Sequence, residues 1–143
     1  MALDIRGLAP LLQVYDMPTS VRFYRDQLGF TVRMTSPSLG GEDRFHWCLL
    51  ELGNAQLMLN SAYEFDSDRP VPPDAARTTA HDDICVYFSC PDVDAAYEEF
   101  RSKGVALGPP KVAPYGMKQL CFHDPDGFAL CFQWAVPHSD STK

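Results

Sequence analysis

The amino-acid sequence predicts an α+β fold built from two βαβββ repeats. Residues 11–30 and 85–104 share one pattern, in which an apolar run typical of a strand precedes apolar residues at helical spacing. Each half then closes on two apolar runs separated by a two-residue turn signal, Gly-Asn at 53–54 and Asp-Gly at 126–127. The same order of elements is therefore expected twice in a chain of 143 residues.

Each predicted helix has a start signal and a stop signal. The segment 16–19 and Asp92 supply side-chain acceptors for the free N–H groups of a first helical turn. Gly29 and Gly104 follow the helical runs, and glycine readily takes the left-handed conformation that ends a helix. Each half is therefore expected to begin with a strand and a capped helix.

The turn signals also predict which side chains share a face of each closing hairpin. With residues 53–54 as the loop of the first hairpin, Leu49 lies opposite Met58 and Trp47 lies opposite Asn60. These four side chains then point to the same side of the sheet.

The second closing hairpin aligns with the first without gaps, so the same construction applies to it. It predicts Phe122 opposite Cys131 and Leu120 opposite Gln133. Lys118 follows two residues further along, and strand side chains alternate, so it is expected on the same face.

The two repeats are expected to form one domain, residues 1–143. The first repeat spans about 8–60 and the second about 82–134. Residues 61–81 between them are rich in Pro, Asp and Thr and longer than most connections, which indicates a linker with some lid character. Residues 135–143 form a polar tail that we expect to fray.

Composition argues against several classes of partner. The net charge is −7, and the 12 Lys and Arg residues are scattered rather than clustered, so nucleic acid is not an expected partner. No apolar run reaches the roughly 20 residues that cross a bilayer. The N-terminal residues lack the basic-then-apolar layout of a signal peptide, so a cytoplasmic location and no membrane partner are expected. The five cysteines include no CxxC pair and are expected to be reduced and mostly buried.

Three phrases together resemble the vicinal-oxygen-chelate superfamily, which includes glyoxalase I, extradiol dioxygenases, fosfomycin-resistance enzymes and bleomycin-resistance proteins. They are DMPTSVRFYRDQLGF, DVDAAYEEFRSKGV and APYGMKQLCFHDPDGFALCFQW. The likeness spans residues 8–134. It implies two half-barrel sheets around a cleft, often within a homodimer, and it identifies a fold better than a chemistry.

The resemblance also implies where a metal ion would be held. Metal-dependent members place four ligands in the cleft, one on the first and one on the last strand of each repeat. In this sequence those positions fall on Ala9, Met58, Cys85 and Cys131. The set departs from the His, Gln and Glu pattern that suits such metals, although a shift along the first or fifth strand would bring in Gln13 or Asp83.

The side of the sheets that carries these positions is expected to be apolar and aromatic with a few polar groups, which suits an organic ligand. The expected ligand-binding residues are Gln13, Trp47, Leu49, Met58, Asn60, Tyr87, Lys118, Phe122 and Gln133. The alternative interpretation is a closed core, since aliphatic strand residues usually pack. His123 is expected on the helix-facing side in a structural hydrogen bond near Asp124, with a general-base role as the alternative. The catalytic residues stay unassigned.

Three functions are compatible with the sequence. The first is binding and sequestration of a small organic molecule without a cofactor, as in bleomycin-resistance proteins. The second is an enzyme, a glyoxalase-type lyase, an isomerase or a dioxygenase, with a divalent metal at an atypical site. The third is a structural or regulatory module with a collapsed cleft. The sequence does not assign the ligand or the reaction.

Overall fold

A computed structural model describes residues 2–137 of the chain. It divides into two compact units, Met1–Pro73 and Asp74–Lys143. The last six residues of the predicted polar tail, 138–143, lie outside the described residues. Among the residues described, no helix combines the length and the apolar character that crossing a membrane requires.

The first unit contains a four-stranded sheet and one helix. Its elements are β1 (Leu11–Val14), α1 (Met17–Val21), β2 (Thr31–Thr35), β3 (Trp47–Leu52) and β4 (Ala55–Ser61). Helix α1 continues as a π-helical segment, Arg22–Gln27. The strand order is β1-β4-β3-β2, with β1 parallel to β4 and the other pairs antiparallel.

The second unit repeats this arrangement. Its elements are α2 (Ala75–Ala80), β5 (Cys85–Ser89), α3 (Val93–Ser102), β6 (Lys111–Val112), β7 (Met117–His123) and β8 (Ala129–Ala135). The strand order is β5-β8-β7-β6, again with the outer first strand parallel to the last one. The predicted α+β fold class and the βαβββ pattern of each half are confirmed.

The helix signals work as the sequence predicts. The carboxylates of Asp16 and Asp92 each accept a hydrogen bond from the backbone N–H three residues later, at 3.2 Å and 3.0 Å. Gly29 and Gly104 have φ values of +92° and +86°, in the left-handed region where a side chain would be strained. Local chemistry therefore fixes where both helices begin and end.

Each sheet buries one face under its own helix. In the first unit the buried side chains alternate along β1, β3 and β4, and Tyr24 of the helical segment is fully buried against Phe30. In the second unit Phe100 of α3 contacts Phe122 and Phe132, at ring-centroid distances of 5.7 Å and 5.1 Å. The opposite face of each sheet carries the candidate site.

The predicted linker 61–81 is divided between the two units. Its first part belongs to the first unit, where Tyr15 Oη donates to the carbonyl of Pro70 at 2.7 Å and Arg69 pairs with Asp16 at 3.0 Å. Its second part forms α2 in the second unit, where Arg77 pairs with the buried Asp126 at 3.1 Å. The segment therefore makes specific contacts within each unit.

Candidate functional site

The open face of the first sheet has the strand pairing that the turn signal predicts. Leu49 lies opposite Met58 and Trp47 lies opposite Asn60, while the parallel neighbour β1 places Leu11 beside Met58 and Gln13 beside Asn60. We call this surface the first open face. It consists of Leu11, Gln13, Trp47, Leu49, Met58 and Asn60. The structure thus brings together the five residues predicted from this repeat.

The first open face is apolar at its centre. Two side-chain amides, those of Gln13 and Asn60, lie side by side next to Trp47. Trp47, Leu49 and Met58 are half-buried, so they are neither fully enclosed in a core nor fully exposed. Asn60 Nδ2 donates to Gln13 Oε1 at 3.1 Å and to the carbonyl of Ser61 at 3.2 Å. The hydrogen bond between the two amides fixes their orientation beside the indole ring.

The predicted register of the second closing hairpin is wrong by one residue. Cys121, rather than Phe122, lies opposite Cys131, and Gln119, rather than Leu120, lies opposite Gln133. A slip of one residue moves a whole strand of side chains to the other face because strand side chains alternate.

Two predicted ligand contacts are therefore not on the open face. Phe122 is buried on the helix-facing side, where it stacks on Phe132 with ring centroids 5.9 Å apart. Lys118 also points to that side, and its Nζ contacts Asp94 Oδ2 of α3 at 2.6 Å. The same slip corrects the expectation for His123, which is exposed on the open side with Nε2 2.6 Å from Asp82 Oδ1.

The cause of the slip is a longer turn. The first hairpin joins Leu52 to Ala55 through two residues, but the second leaves five residues between His123 and Ala129. The Asp124 N–H donates to the Phe128 carbonyl at 2.9 Å, and the Asp124 carboxylate accepts from the N–H groups of Asp126 and Phe128, both at 2.9 Å. Asp, Pro and Gly at the first, second and fourth positions are favoured in a type I turn, so residues 124–127 contained the signal for this longer loop.

The open face of the second sheet is richer in sulfur groups than the first and has the same number of side-chain amides. We call it the second open face; it consists of Cys85, Tyr87, Gln119, Cys121, Cys131 and Gln133. Tyr87 and Gln133 were predicted there, whereas Gln119 and Cys121 were missed. Gln119 Nε2 donates to Gln133 Oε1 at 2.8 Å and to Tyr115 Oη at 2.9 Å.

The residues at the family's metal positions do not fit a metal centre of that type. Ala9 offers no donor atom, and among residues 2–137 no group of three or more His, Cys, Asp or Glu side chains is placed to hold a metal ion. The Sγ atoms of Cys121 and Cys131 are 2.9 Å apart. Two thiolates on one tetrahedral zinc would be roughly 3.8 Å apart, given Zn–S bonds near 2.3 Å. Burial, followed by the hydrogen bond with Cys121, raises the pKa of Cys131, which disfavours the thiolate that a metal would need.

The cysteines differ in exposure more than the sequence indicated. Two of the five, Cys48 and Cys131, are buried, whereas Cys85 and Cys121 are exposed and Cys90 is intermediate. The expectation of mostly buried thiols is therefore wrong. Burial also raises the pKa of Cys48 to about 12.

Alkylation should follow this difference. At pH 7.0 to 8.0, iodoacetamide is expected to modify Cys85 and Cys121 at least about tenfold faster than Cys48, because only the thiolate reacts and Cys48 stays protonated until the pH approaches its raised pKa. Mass spectrometry of native samples taken over time measures the rates, and a urea-unfolded sample serves as the control in which Cys48 reacts. Equal rates in the native protein would contradict the burial of Cys48.

The two βαβββ units define a class of small α+β proteins. The chain belongs to the Glyoxalase/Bleomycin resistance protein/Dioxygenase superfamily, whose family model matches residues 8–132. It is 32% identical over 123 residues to the uncharacterized protein YaeR of Escherichia coli (strain K12), which covers 80% of this chain and 84% of the relative.

Solved structures share the fold at lower sequence identity. TnmS3, an antibiotic binding protein from Streptomyces sp. CB03234, superposes with a TM-score of 0.66 at 22% identity, covering 94% of this chain and 100% of that one. A bleomycin-binding protein complexed with bleomycin has a TM-score of 0.65 at 17% identity, covering 92% and 100%. The predicted family is confirmed.

Proposed function

We propose that this protein binds a small organic molecule with an aromatic or apolar body on the first open face, without a metal ion. The observation that carries the proposal is the half-buried strip of Trp47, Leu49 and Met58 beside the amide pair of Gln13 and Asn60. Apolar walls supply burial energy, about 25 cal/mol per Å² of apolar surface covered, and a few polar groups fix the orientation of the ligand.

The chemistry of the residues favours an aromatic and cationic guest. An indole face attracts cations, and Trp is the strongest side chain in this respect. The net charge of −7 adds a long-range attraction for positively charged molecules. On the second open face, Tyr87 and Gln133 remain proposed contacts, and Tyr87 is 56% exposed.

Sequestration suits this site better than catalysis. The donor set at the family's metal positions, Ala9, Met58, Cys85 and Cys131, leaves a metal shell half empty, so the metal-dependent lyase, isomerase or dioxygenase is the second choice. Two solved relatives are described as binding an antibiotic and bleomycin, which agrees with an organic ligand. We further propose that the chain acts as a cytoplasmic homodimer that holds its ligand away from a target.

A fluorescence titration tests the proposal directly. The sequence has two tryptophans, so a Trp134→Phe variant leaves Trp47 as the only indole reporter. Metal-free bleomycin and ethidium, a planar aromatic cation, serve as probes. Binding on the first open face should quench or shift Trp47 emission with saturation, and a Met58→Lys change in the same background should weaken the affinity at least about tenfold, about 1.4 kcal/mol.

The control variant is Phe65→Ala, which removes an exposed ring of the first unit outside the first open face. It should leave the affinity unchanged, as calorimetry with the unlabelled probes can verify. Saturable binding that Met58→Lys does not weaken would place the ligand elsewhere. If neither probe stabilises or binds the protein, the collapsed-face alternative gains support.

Metal analysis separates the second function from the first. Protein purified without chelator should contain substoichiometric zinc, nickel, iron and manganese, and probe affinity should be the same after dialysis against EDTA. A stoichiometric metal that is lost in a Cys85→Ser variant would overturn metal-independent binding and favour the enzyme.

A further inference from the structure

Two thiols face each other across neighbouring strands on the second open face. Cys121 of β7 lies directly opposite Cys131 of β8, and their Sγ atoms are 2.9 Å apart. Cys121 is exposed to solvent, whereas Cys131 is fully buried. We propose that this pair is a thiol-oxidation site, at which a peroxide converts the two cysteines into a reversible intramolecular disulfide.

The backbone of the hairpin already has the spacing that a disulfide requires. The N–H of Val136 donates to the carbonyl of Gly116 at 3.0 Å, and the N–H of Asp124 donates to the carbonyl of Phe128 at 2.9 Å. Hydrogen-bonded pairs alternate along an antiparallel ladder, so the Cys121 pair occupies the position between two such pairs. Opposite Cα atoms there are about 4.5 Å apart.

That Cα separation falls within the range of roughly 4.4–6.8 Å found for disulfides. The two sulfur atoms need only approach from 2.9 Å to bonding distance, about 2.05 Å. Side-chain rotation alone can supply this approach, so the strands keep their register. Soft-metal binding is the less suitable use of the pair, because the sulfur atoms would have to separate to bridge an ion.

The difference in exposure sets the order of the two steps. Hydrogen peroxide first transfers one oxygen atom to the exposed Cys121 thiol, which becomes a sulfenic acid, and one water leaves. The Cys131 sulfur then attacks the sulfenic sulfur, the S–S bond forms, and its proton leaves with the hydroxyl as a second water. Two thiols lose two electrons in total, and one peroxide is reduced to two waters.

A third cysteine tests the selectivity of the pair. Cys85 is also exposed on the second open face, but its strand neighbour is Ala129, so it has no directly opposite thiol on β8. Proximity converts the second step into an intramolecular reaction, which favours the Cys121 and Cys131 pair over any disulfide with Cys85.

Peptide mapping of the intact chain after peroxide treatment tests the proposal. The tryptic peptide 119–143 contains Cys121 and Cys131 and no other cysteine. In wild type this peptide should become lighter by two hydrogens, resist alkylation, and recover both thiols with dithiothreitol. Cys85→Ser should behave like wild type.

The Cys121→Ser variant should lose the mass change completely, and its buried Cys131 should stay reduced. This substitution is at an exposed position, so folding is expected to survive, and the wild-type measurement stands without it. Irreversible oxidation of Cys121 with Cys131 still a thiol in wild type would overturn the proposal. A disulfide that joins Cys85 to peptide 119–143 would overturn it as well.

Discussion

Replacing Gly127 by alanine is expected to lower the free energy of unfolding by about 3 kcal/mol or more. Gly127 has a φ of +86°, a conformation that strains any L side chain. A Cβ at this position would also lie 2.5 Å from the backbone carbonyl oxygen of Thr78 and 2.8 Å from its Cγ2. Backbone atoms cannot rotate away, so the turn or α2 has to move. Urea denaturation followed by circular dichroism measures the loss.

A glycine in the loop of the first hairpin gives the control. Gly53 also has a positive φ, +58°, but a Cβ there would meet nothing within 4 Å. Gly53→Ala should therefore cost only the backbone strain, about 1 to 2 kcal/mol. If both variants lose the same stability, the close approach of Thr78 to the turn makes no contribution.

The surroundings of Gly127 explain why the turn cannot simply open. His81 Nδ1 donates to the carbonyl of Asp126 at 2.6 Å, and the His81 ring stacks on Phe128 with ring centroids 3.9 Å apart. Arg77 pairs with the carboxylate of Asp126, whose side chain is only 2% exposed. Helix α2 and the residues after it thus hold the turn from one side. The segment that the sequence presented as a linker helps to fix the geometry of the last hairpin.

Local signals predicted the fold well because they act over a few residues. Capping by Asp16 and Asp92 and the left-handed Gly29 and Gly104 depend only on neighbouring backbone groups. The apolar periodicity that follows them reports which face of each helix and strand is buried. These terms are strong enough to specify βαβββ twice.

The second hairpin shows where such reasoning fails. The sequence Asp126-Gly127 predicts a two-residue loop because it aligns with the Gly-Asn loop of the first repeat. The Asp124 side chain instead stabilises a longer turn through two backbone N–H groups. Competition between two turn types is decided by small free-energy differences and by contacts such as those of α2, which are distant in sequence.

The wrong length of the second turn affects some predicted site residues and leaves others in place. Tyr87 and Gln133 lie on the open face as predicted because they alternate with Cys85 and Cys131 along β5 and β8 themselves, and this does not depend on the register between β7 and β8. Lys118 and Phe122 depended entirely on the turn and moved to the helix-facing side. A strand that is placed by counting across a loop is therefore the least secure part of a predicted site.

Replacing Phe132 by alanine is expected to lower the free energy of unfolding by about 3 to 5 kcal/mol. Its ring stacks on Phe88 at 4.4 Å, with an interplanar angle of 10°, and contacts Phe100 and Phe122 at 5.1 Å and 5.9 Å. Removing it leaves a cavity between β5, β7, β8 and α3. The lost contacts with the other aromatic rings add to the free energy that is lost when the buried ring is removed from its apolar surroundings. Urea and thermal unfolding of the variant and of the wild-type chain measure this loss of stability.

Trp134→Ala provides the control, because Trp134 lies two residues along the same strand and is 45% exposed. It should cost clearly less than Phe132→Ala, about 1 to 2 kcal/mol, since nearly half of its surface contacts water already. The comparison separates burial from residue type: both substitutions remove an aromatic ring from β8, but only Phe132 is enclosed. Similar losses in the two variants would mean that the aromatic cluster under the second sheet does not hold α3 to it. In that case packing of the aromatic cluster would also not hold β7 and β8 in the positions that bring Cys121 and Cys131 together on the second open face.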